Sequence, residues 1–363
     1  MSIFDLQVAA RKGHSILISR TDSIGDVILT LPLCGWLKAH FPGLRILFLG
    51  SAYTRPVLEC CQHVDAVWDV QDFLAQPPAE QKRRLASESC IGAVHVFPQR
   101  EVARTLSRVG LPFLLGTRSR WYHWLYCTQR VALSRRHSPR HEAQLNIDLL
   151  RDYLPPWPDP KTFDDLPASD WAALYGLVPP PFQPAWTAAL PQGRPIWVLH
   201  PTSKGSAREY PLPLWLELAR RLSETHTVWI SGLASDRPYL LPLLDELEGK
   251  KADDGVGPYV DGVVDGVGRF SLGEFIAFLS GVSGIVAGST GPLHIGAALG
   301  IGAVGLYPPV RPVHPGRWAP LGAGAVALSS KPECDNCTPQ NGTCPCMKAI
   351  KTEQIVAAIH KLS

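Results

Sequence analysis

The sequence predicts an α/β protein of two Rossmann-like, doubly wound parallel-sheet domains. Short apolar runs alternate with helical patterns along most of the chain, as strands buried on both faces require. The runs end in Gly, Ser, Thr and Asp, the residues that start helices. Between two such series lie Pro155–Pro160 and Pro179–Pro181, too proline-dense for helix or central strand. At 363 residues the chain also exceeds the usual span of one core. The expected division is an N-terminal domain over 1–178, a linker over 179–194, a C-terminal domain over 195–349 and a terminal helix over 350–363.

Ser15-Ile16-Leu17-Ile18-Ser19 suits a first buried strand, followed by the turn Arg20–Asp26 and a helix from about Val27 to His40. Pro32 in its early turns implies a kink or a late start. Further strands are expected at Arg45–Gly50, Ala66–Val70, Ile91–Phe97 and Phe113–Gly116, with helices at Thr54–Cys61, Glu101–Val109 and Ala143–Tyr153. His95 reads as a strand-end residue without chemistry. The second series opens with the strand Pro195–Pro201, the polar turn Thr202–Arg208 and a helix near Leu214–Glu224. Then come a strand Thr227–Gly232, an edge strand Tyr259–Val264, and a helix Glu274–Ser280 behind the capping box Ser271-x-x-Glu274. Gly284–Gly288, Ser289-Thr290-Gly291, a Pro292-led helix, Gly300 and Ala303–Pro308 read as strand, turn, helix, stop and strand. A terminal helix over Thr352–Lys361 closes the chain.

The net charge of +3 argues against a dedicated nucleic-acid binder. Arginines nevertheless crowd one part of the first half, from Arg100 to Arg140, and Gly116–Glu142 adds Trp, Tyr and His. That mixture suits a sugar phosphate, a lipid headgroup or a merely solvated face. The start lacks the build of a signal peptide, and no run of about 18 apolar residues exists, so a cytoplasmic protein is expected, with peripheral contact at a membrane face open. Cys34, Cys60, Cys61, Cys90 and Cys127 lie in apolar surroundings and read as buried thiols.

Three stretches carry chemistry. Gly25-Asp26 stands at a helix start, where Asp26 would cap the helix or act as a general base; both roles remain open at this point. Thr202, Ser203, Lys204 and Arg208 combine hydroxyls, amides and cations after a strand, an oxyanion cradle or a solvated loop, and Asp236, a few residues after the strand Thr227–Gly232, would hold ribose hydroxyls or start a helix. Ser289, Thr290, Gly291 and His294 line a strand-to-helix turn whose exposed amides attract phosphate. No Walker loop and no strand-following Gly-x-Gly-x-x-Gly is present. Cys334, Cys337, Cys344 and Cys346 form two close pairs fit for structural zinc, with thiols or a disulfide as the other readings.

Taken together, Ile18–Asp26 with Thr30-Leu31-Pro32, His200-Pro201-Thr202-Ser203 with Ser206–Pro211, and Gly288–His294 resemble glycosyltransferase family 9, the heptosyltransferases of lipopolysaccharide core assembly. The likeness runs in order through both halves. It implies the GT-B fold, two Rossmann-like domains facing a cleft. It also implies inverting transfer with no required metal, from ADP-heptose or a related nucleotide sugar on the second domain to a lipid-linked saccharide on the first. By this resemblance Asp26 is the general base. Thr202, Ser203, Arg208 and the amides after Thr290-Gly291 would hold the diphosphate, and Asp236 the ribose. The chain departs from the family in carrying Arg208 for Lys, Tyr210 for Trp and Ser289 for Asp. A GT-B nucleotide-sugar epimerase and a non-catalytic nucleotide-sugar binder are the rival readings.

Overall fold

The computed structural model describes residues 6–135, 138–153, 168–191, 193–205, 207–247, 259–260, 262–311, 313–331 and 344–362. The chain divides into two compact units, Met1–Val178 and Pro179–Ser363.

Unit 1 is built on six parallel strands: β1 (Ser15–Ser19), β2 (Arg45–Gly50), β3 (Ala66–Asp69), β4 (Cys90–His95), β5 (Phe113–Thr117) and β6 (Gln129–Val131). Their order is β3-β2-β1-β4-β5-β6, so the winding reverses between β1 and β4. In such sheets ligands gather outside the carboxyl ends of the strands at that reversal. Leu17, Leu47, Leu49, Trp68, Phe73 and Leu114 fill one side of the sheet. The expected helix from Val27 to His40 is two helices, Ile24–Ile28 and Leu31–His40, because Pro32 is tolerated only in a first turn. A short 3-10 turn, Ala52–Thr54, and the helix Arg55–Glu59 stand where one helix was expected. Residues beyond the first proline passage return to this unit: the helix Ala168–Tyr175 packs so closely on Leu31–His40 that a methyl at Gly35 would collide with the Leu174 carbonyl. Of the thiols read as buried, Cys34, Cys60, Cys61 and Cys127 are so and Cys90 is half-buried. Burial pushes Cys61 and Cys127 up to about 12, which leaves them protonated and inert.

Unit 2 carries β7 (Ile196–His200), β8 (Thr227–Ile230), β9 (Tyr259–Val260), β10 (Val263–Asp265), β11 (Gly284–Gly288), β12 (Gly302–Leu306) and β13 (Ala325–Leu328), in the order β13-β12-β11-β7-β8-β10-β9. All pairs are parallel except β9 with β10, and the winding reverses between β7 and β11. The expected edge strand 259–264 is thus two strands with Gly262 at positive φ between them. β10 is an inner strand paired on both sides, and only β9 lies at the edge. Trp197, Tyr210, Trp215, Val286 and Val304 form the core with Ile355 and Ile359 of the helix Thr352–Leu362. Each of those two isoleucines contributes about 1.5–3 kcal/mol by burial, which fastens the terminal helix to this unit. Among the described residues no helix is long and apolar enough to cross a membrane.

Candidate active site

In unit 1 the chain leaves β1 through Arg20-Thr21-Asp22-Ser23 and enters the helix Ile24–Ile28. Ser23 caps that helix: its Oγ receives the Asp26 amide at 3.4 Å and donates to Asp26 Oδ2 at 2.6 Å. The second carboxylate oxygen, Oδ1, accepts from Arg20 Nη2. Arg20 also donates through Nε to Asp22 Oδ1 at 2.7 Å, and through Nη1 to Glu142 Oε1 at 3.2 Å and Asn146 Oδ1 at 3.4 Å. Glu142 and Asn146 stand four residues apart on the helix Glu142–Asp148 and so face the same way. Arg135 donates to both of them and to Val96 O, and Asn146 Nδ2 reaches Leu29 O at 2.9 Å and Thr30 Oγ1 at 3.2 Å. Thr30 in turn donates to Asp26 O at 2.8 Å, which closes the network on the residue where it began.

Exposure divides this network by role. The side chains of Arg20 and Glu142 are 3% and 1% exposed, whereas Asp26 is 17% exposed and open to approach. Burial opposes the charge of Arg20, but Asp26, Asp22 and Glu142 outweigh it, so the guanidinium holds its proton more tightly than usual. Burial also raises Asp22, to about 6; Arg20 pulls it down and Asp26 pushes it further up. Asp26 is therefore a carboxylate fixed at both oxygens whose orientation a sealed arginine sets, while each oxygen keeps a lone pair for an incoming proton. The cap expected of Asp26 is Ser23 instead; Asp26 stands in the first helical turn, where its charge complements the helix dipole while the carboxylate stays partly open to solvent.

In unit 2 the residues singled out by sequence fall on the carboxyl ends of β7, β8 and β11, beside the reversal. Thr202 Oγ1 donates to Asp236 Oδ2 at 3.0 Å, and the Leu233 amide reaches the same oxygen at 2.8 Å. Lys204, at positive φ, places Nζ 3.1 Å from Ser235 Oγ and 3.9 Å from Asp236 Oδ1. Asp236 thus keeps Oδ1 toward a lysine while Oδ2 ties two turns together. Ser203 is spent differently: its amide and hydroxyl both donate to Glu209 Oε1, at 3.2 and 3.1 Å. A carboxylate of the chain thereby takes the donors that the sequence reading reserved for phosphate. His200 Nδ1 is 2.9 Å from Ser231 Oγ, and burial lowers its pKa to about 4 although Asp236 pulls it upward.

The second turn is Gly288–Gly291. A Cβ built on Gly288 would lie 3.7 Å from Ala207 Cβ and 3.9 Å from Arg208 O, so the loop carrying Arg208 rests against the end of β11. Arg208 is half-buried and forms no ion pair among the described residues. Thr290 begins the helix Gly291–Leu299 without a side-chain cap, and its buried Oγ1 has no hydrogen-bond partner among the described residues. The backbone of Arg208 thus lies beside the strand end from which the buried Thr290 hydroxyl and the free first-turn amides of the helix Gly291–Leu299 follow. Ser289 is half-buried at the end of β11, and the hydroxyl of the buried Tyr307 donates to Trp318 O. His294 is buried one turn into the helix, with its amide donating to Thr290 O at 3.4 Å.

Of the cysteine cluster, Cys334 and Cys337 lie outside the described residues, as does Ser206. Cys344 is buried at the start of the short helix Pro345–Lys348, and Cys346 packs at the edge of the unit 2 core. Among the described residues no three metal-ligating side chains gather. The sequence reading passed over Glu142, Asn146 and Glu209 as site residues. The only local signal for the first two was a Glu and an Asn four apart, on one face of a short helix.

A sequence model of glycosyltransferase family 9 (heptosyltransferase) matches residues 133–348, more than half of the chain. The match runs from the end of unit 1 through unit 2 as far as residue 348, short of the terminal helix, and does not reach Asp26. A protein of Haemophilus influenzae whose name marks it as a provisional glycosyltransferase is 26% identical over 333 residues, 85% of this chain and 86% of that one. A family 9 glycosyltransferase from Veillonella parvula superposes with a TM-score of 0.71 at 17% identity, over 96% of this chain and 97% of that one. E. coli ADP-heptose lipopolysaccharide heptosyltransferase II gives 0.69 at 20% identity, over 96% and 98%. At such identities the structural likeness establishes the fold, and the sequence model establishes the family. The chain belongs to glycosyltransferase family 9, the heptosyltransferase family, and is a glycosyltransferase of GT-B fold.

Proposed function

We propose that the protein transfers heptose, or a closely related sugar, from ADP-heptose to a lipopolysaccharide core or similar anionic glycolipid, with inversion at the anomeric carbon. The observation that carries this reading is Asp26: an open carboxylate held at both oxygens, at the winding reversal of unit 1. In the reaction the acceptor hydroxyl gives its proton to Asp26 as its oxygen bonds to the anomeric carbon. The bond from that carbon to the diphosphate breaks, and the electron pair leaves with the nucleoside diphosphate. A positioned base contributes roughly 10²–10⁴-fold. Charge growing on the diphosphate is met by Arg208, Thr290 and the first amides of the helix Gly291–Leu299. Asp236, with Oδ1 bonded to no donor closer than Lys204, takes a ribose hydroxyl, and Lys204 beside it contacts phosphate or ribose. The adenine nucleotide rests on likeness to a protein described as acting with ADP-heptose. The glycolipid acceptor places the enzyme at the cytoplasmic face of a membrane.

The test supplies ADP-heptose, UDP-sugars and GDP-sugars in turn, with and without a glycolipid acceptor. Nucleoside diphosphate release is followed together with the anomeric configuration of the product by NMR. ADP-heptose is expected to give acceptor-dependent release and an inverted linkage. A retained configuration, or a clear preference for another nucleotide, would overturn the proposal.

A further inference from the structure

The helix Trp121–Tyr126 follows β5 and turns toward solvent what folded proteins ordinarily hide. Trp121, Trp124 and Leu125 are 61%, 57% and 66% exposed, three large apolar side chains within five residues. The helix is not loosely held. His123 on its inner side is fully buried, accepts the Thr117 amide through Nδ1 at 2.9 Å and stacks on His95 with ring centroids 5.6 Å apart. Tyr122 Oη donates to Pro98 O at 2.8 Å, and Cys127 at the helix end is buried. The exposed face is therefore a fixed feature of the surface.

Arginines frame it. The Arg100 guanidinium lies 5.1 Å from the Trp121 ring centroid and that of Arg130 lies 4.7 Å from Trp124. Arg100, Arg104 and Arg108 recur every fourth residue on the helix Arg100–Arg108, all exposed, and form one stripe. Between Pro98 and Leu133 the chain has six arginines and a single acidic residue, Glu101.

We infer that this surface docks unit 1 on a bilayer containing anionic lipid. Indole rings settle at headgroup depth, where an apolar body and a polar N–H are both satisfied, and Leu125 enters the acyl boundary. The arginines meet lipid phosphates, each worth on the order of fivefold in affinity near an anionic surface. The predominantly positive charge around the exposed aromatics is complementary to a continuous sheet of phosphate, and within residues 98–133 Glu101 is the only acidic residue. The docking stands independently of which sugar is moved. It also bears on the site: β5 is separated from β1 by β4 alone, and Trp121 and Asp26 both follow the carboxyl ends of their strands. At about 4.8 Å per strand, two strand spacings set the helix roughly 10 Å along the sheet from the base, near enough for a lipid-held acceptor.

The full chain is sedimented with vesicles of phosphatidylcholine alone and of phosphatidylcholine mixed with phosphatidylglycerol, neither containing acceptor glycolipid. Binding to the mixed vesicles, little to the neutral ones, and weakening with added salt are expected. The variant Trp121→Ser/Trp124→Ser/Leu125→Ser is expected to lose at least tenfold in affinity while keeping its melting temperature and ADP binding. Arg100→Gln/Arg104→Gln/Arg108→Gln gives a second, charge-only reduction should the first variant fold poorly. Wild-type protein that ignores both vesicles, or variants that bind as well as wild type, would overturn the inference. Transfer to a delipidated soluble acceptor separates the two proposals: the serine variant keeps it if docking alone is lost. A chain that binds vesicles but transfers no sugar would sink the functional reading and leave docking intact.

Discussion

Asp26→Asn separates the two roles that one carboxylate can fill. Asn has the same shape, keeps an oxygen toward Arg20 or Ser23, and leaves Arg20 paired with Asp22 and Glu142. The structural loss is one charge-assisted hydrogen bond, about 1.5–3 kcal/mol. For a unit of this size each kcal/mol lowers the melting temperature by about 2–4 °C. The kinetic loss is set by different physics: an amide cannot take the acceptor proton, so kcat falls by roughly 10²–10⁴, equivalent to about 2.7–5.4 kcal/mol of barrier. Transfer is measured as nucleoside diphosphate release in single turnover, well below the melting temperature, alongside ADP affinity by calorimetry. Slow transfer with unchanged ADP affinity is expected. A variant that melts lower yet transfers within about threefold of the wild-type rate would show that Asp26 only secures the helix, and the base would have to be sought elsewhere.

Arg208→Ala leaves no orphaned carboxylate among the described residues, so the fold should stand while ADP binds about 10- to 100-fold more weakly; unaltered affinity by calorimetry would remove Arg208 from the diphosphate site. Asp22 gives a pH prediction. With a folded value of about 6 against about 4 unfolded, it takes up a proton on folding, so stability falls as pH rises through 4 to 6. The loss is on the order of 3 kcal/mol above that window. Asp22→Asn should therefore melt higher than wild type at pH 8 and coincide with it below pH 4, and a lower melt at pH 8 would contradict the assignment. For the cysteine cluster, protein purified without chelator should carry one zinc per chain, lost in Cys344→Ser; metal-free wild type would leave thiols or a disulfide.

The strand-turn-helix units at Asp26, Thr202 and Thr290 were legible because each is local. An apolar run, a polar turn and a capping residue lie within about ten positions, and strand order alone then brings two of the turns to one reversal. The support beneath Asp26 was not legible. Arg20 meets Glu142 across 122 positions and Asn146 across 126, and no periodicity encodes such a pairing. β6 and β13 were missed for a different reason. Gln129-Arg130-Val131 is too short and polar for a strand pattern, and Ala325–Leu328 is half-buried throughout; both are set by the neighbouring strand edge. The helix Trp121–Tyr126 went unassigned because five of its six residues are aromatic or imidazole, indifferent helix formers held by the seat that His123 finds. The glutamate that engages Ser203 stands only six positions away, yet nothing in a loop's composition says which way its chain folds back.

One consequence concerns acidity. His95, His123 and His200 stand at or near the strand ends where histidine would ordinarily be suspected of proton work, and burial lowers all three, His95 to about 3 and His200 to about 4. The imidazoles of His95 and His200 stay neutral throughout the range in which cells live. The group at the Asp26 turn that burial moves into the range between pH 5 and 7 is instead Asp22, raised to about 6, and a titration followed by carboxyl-carbon NMR could read it directly.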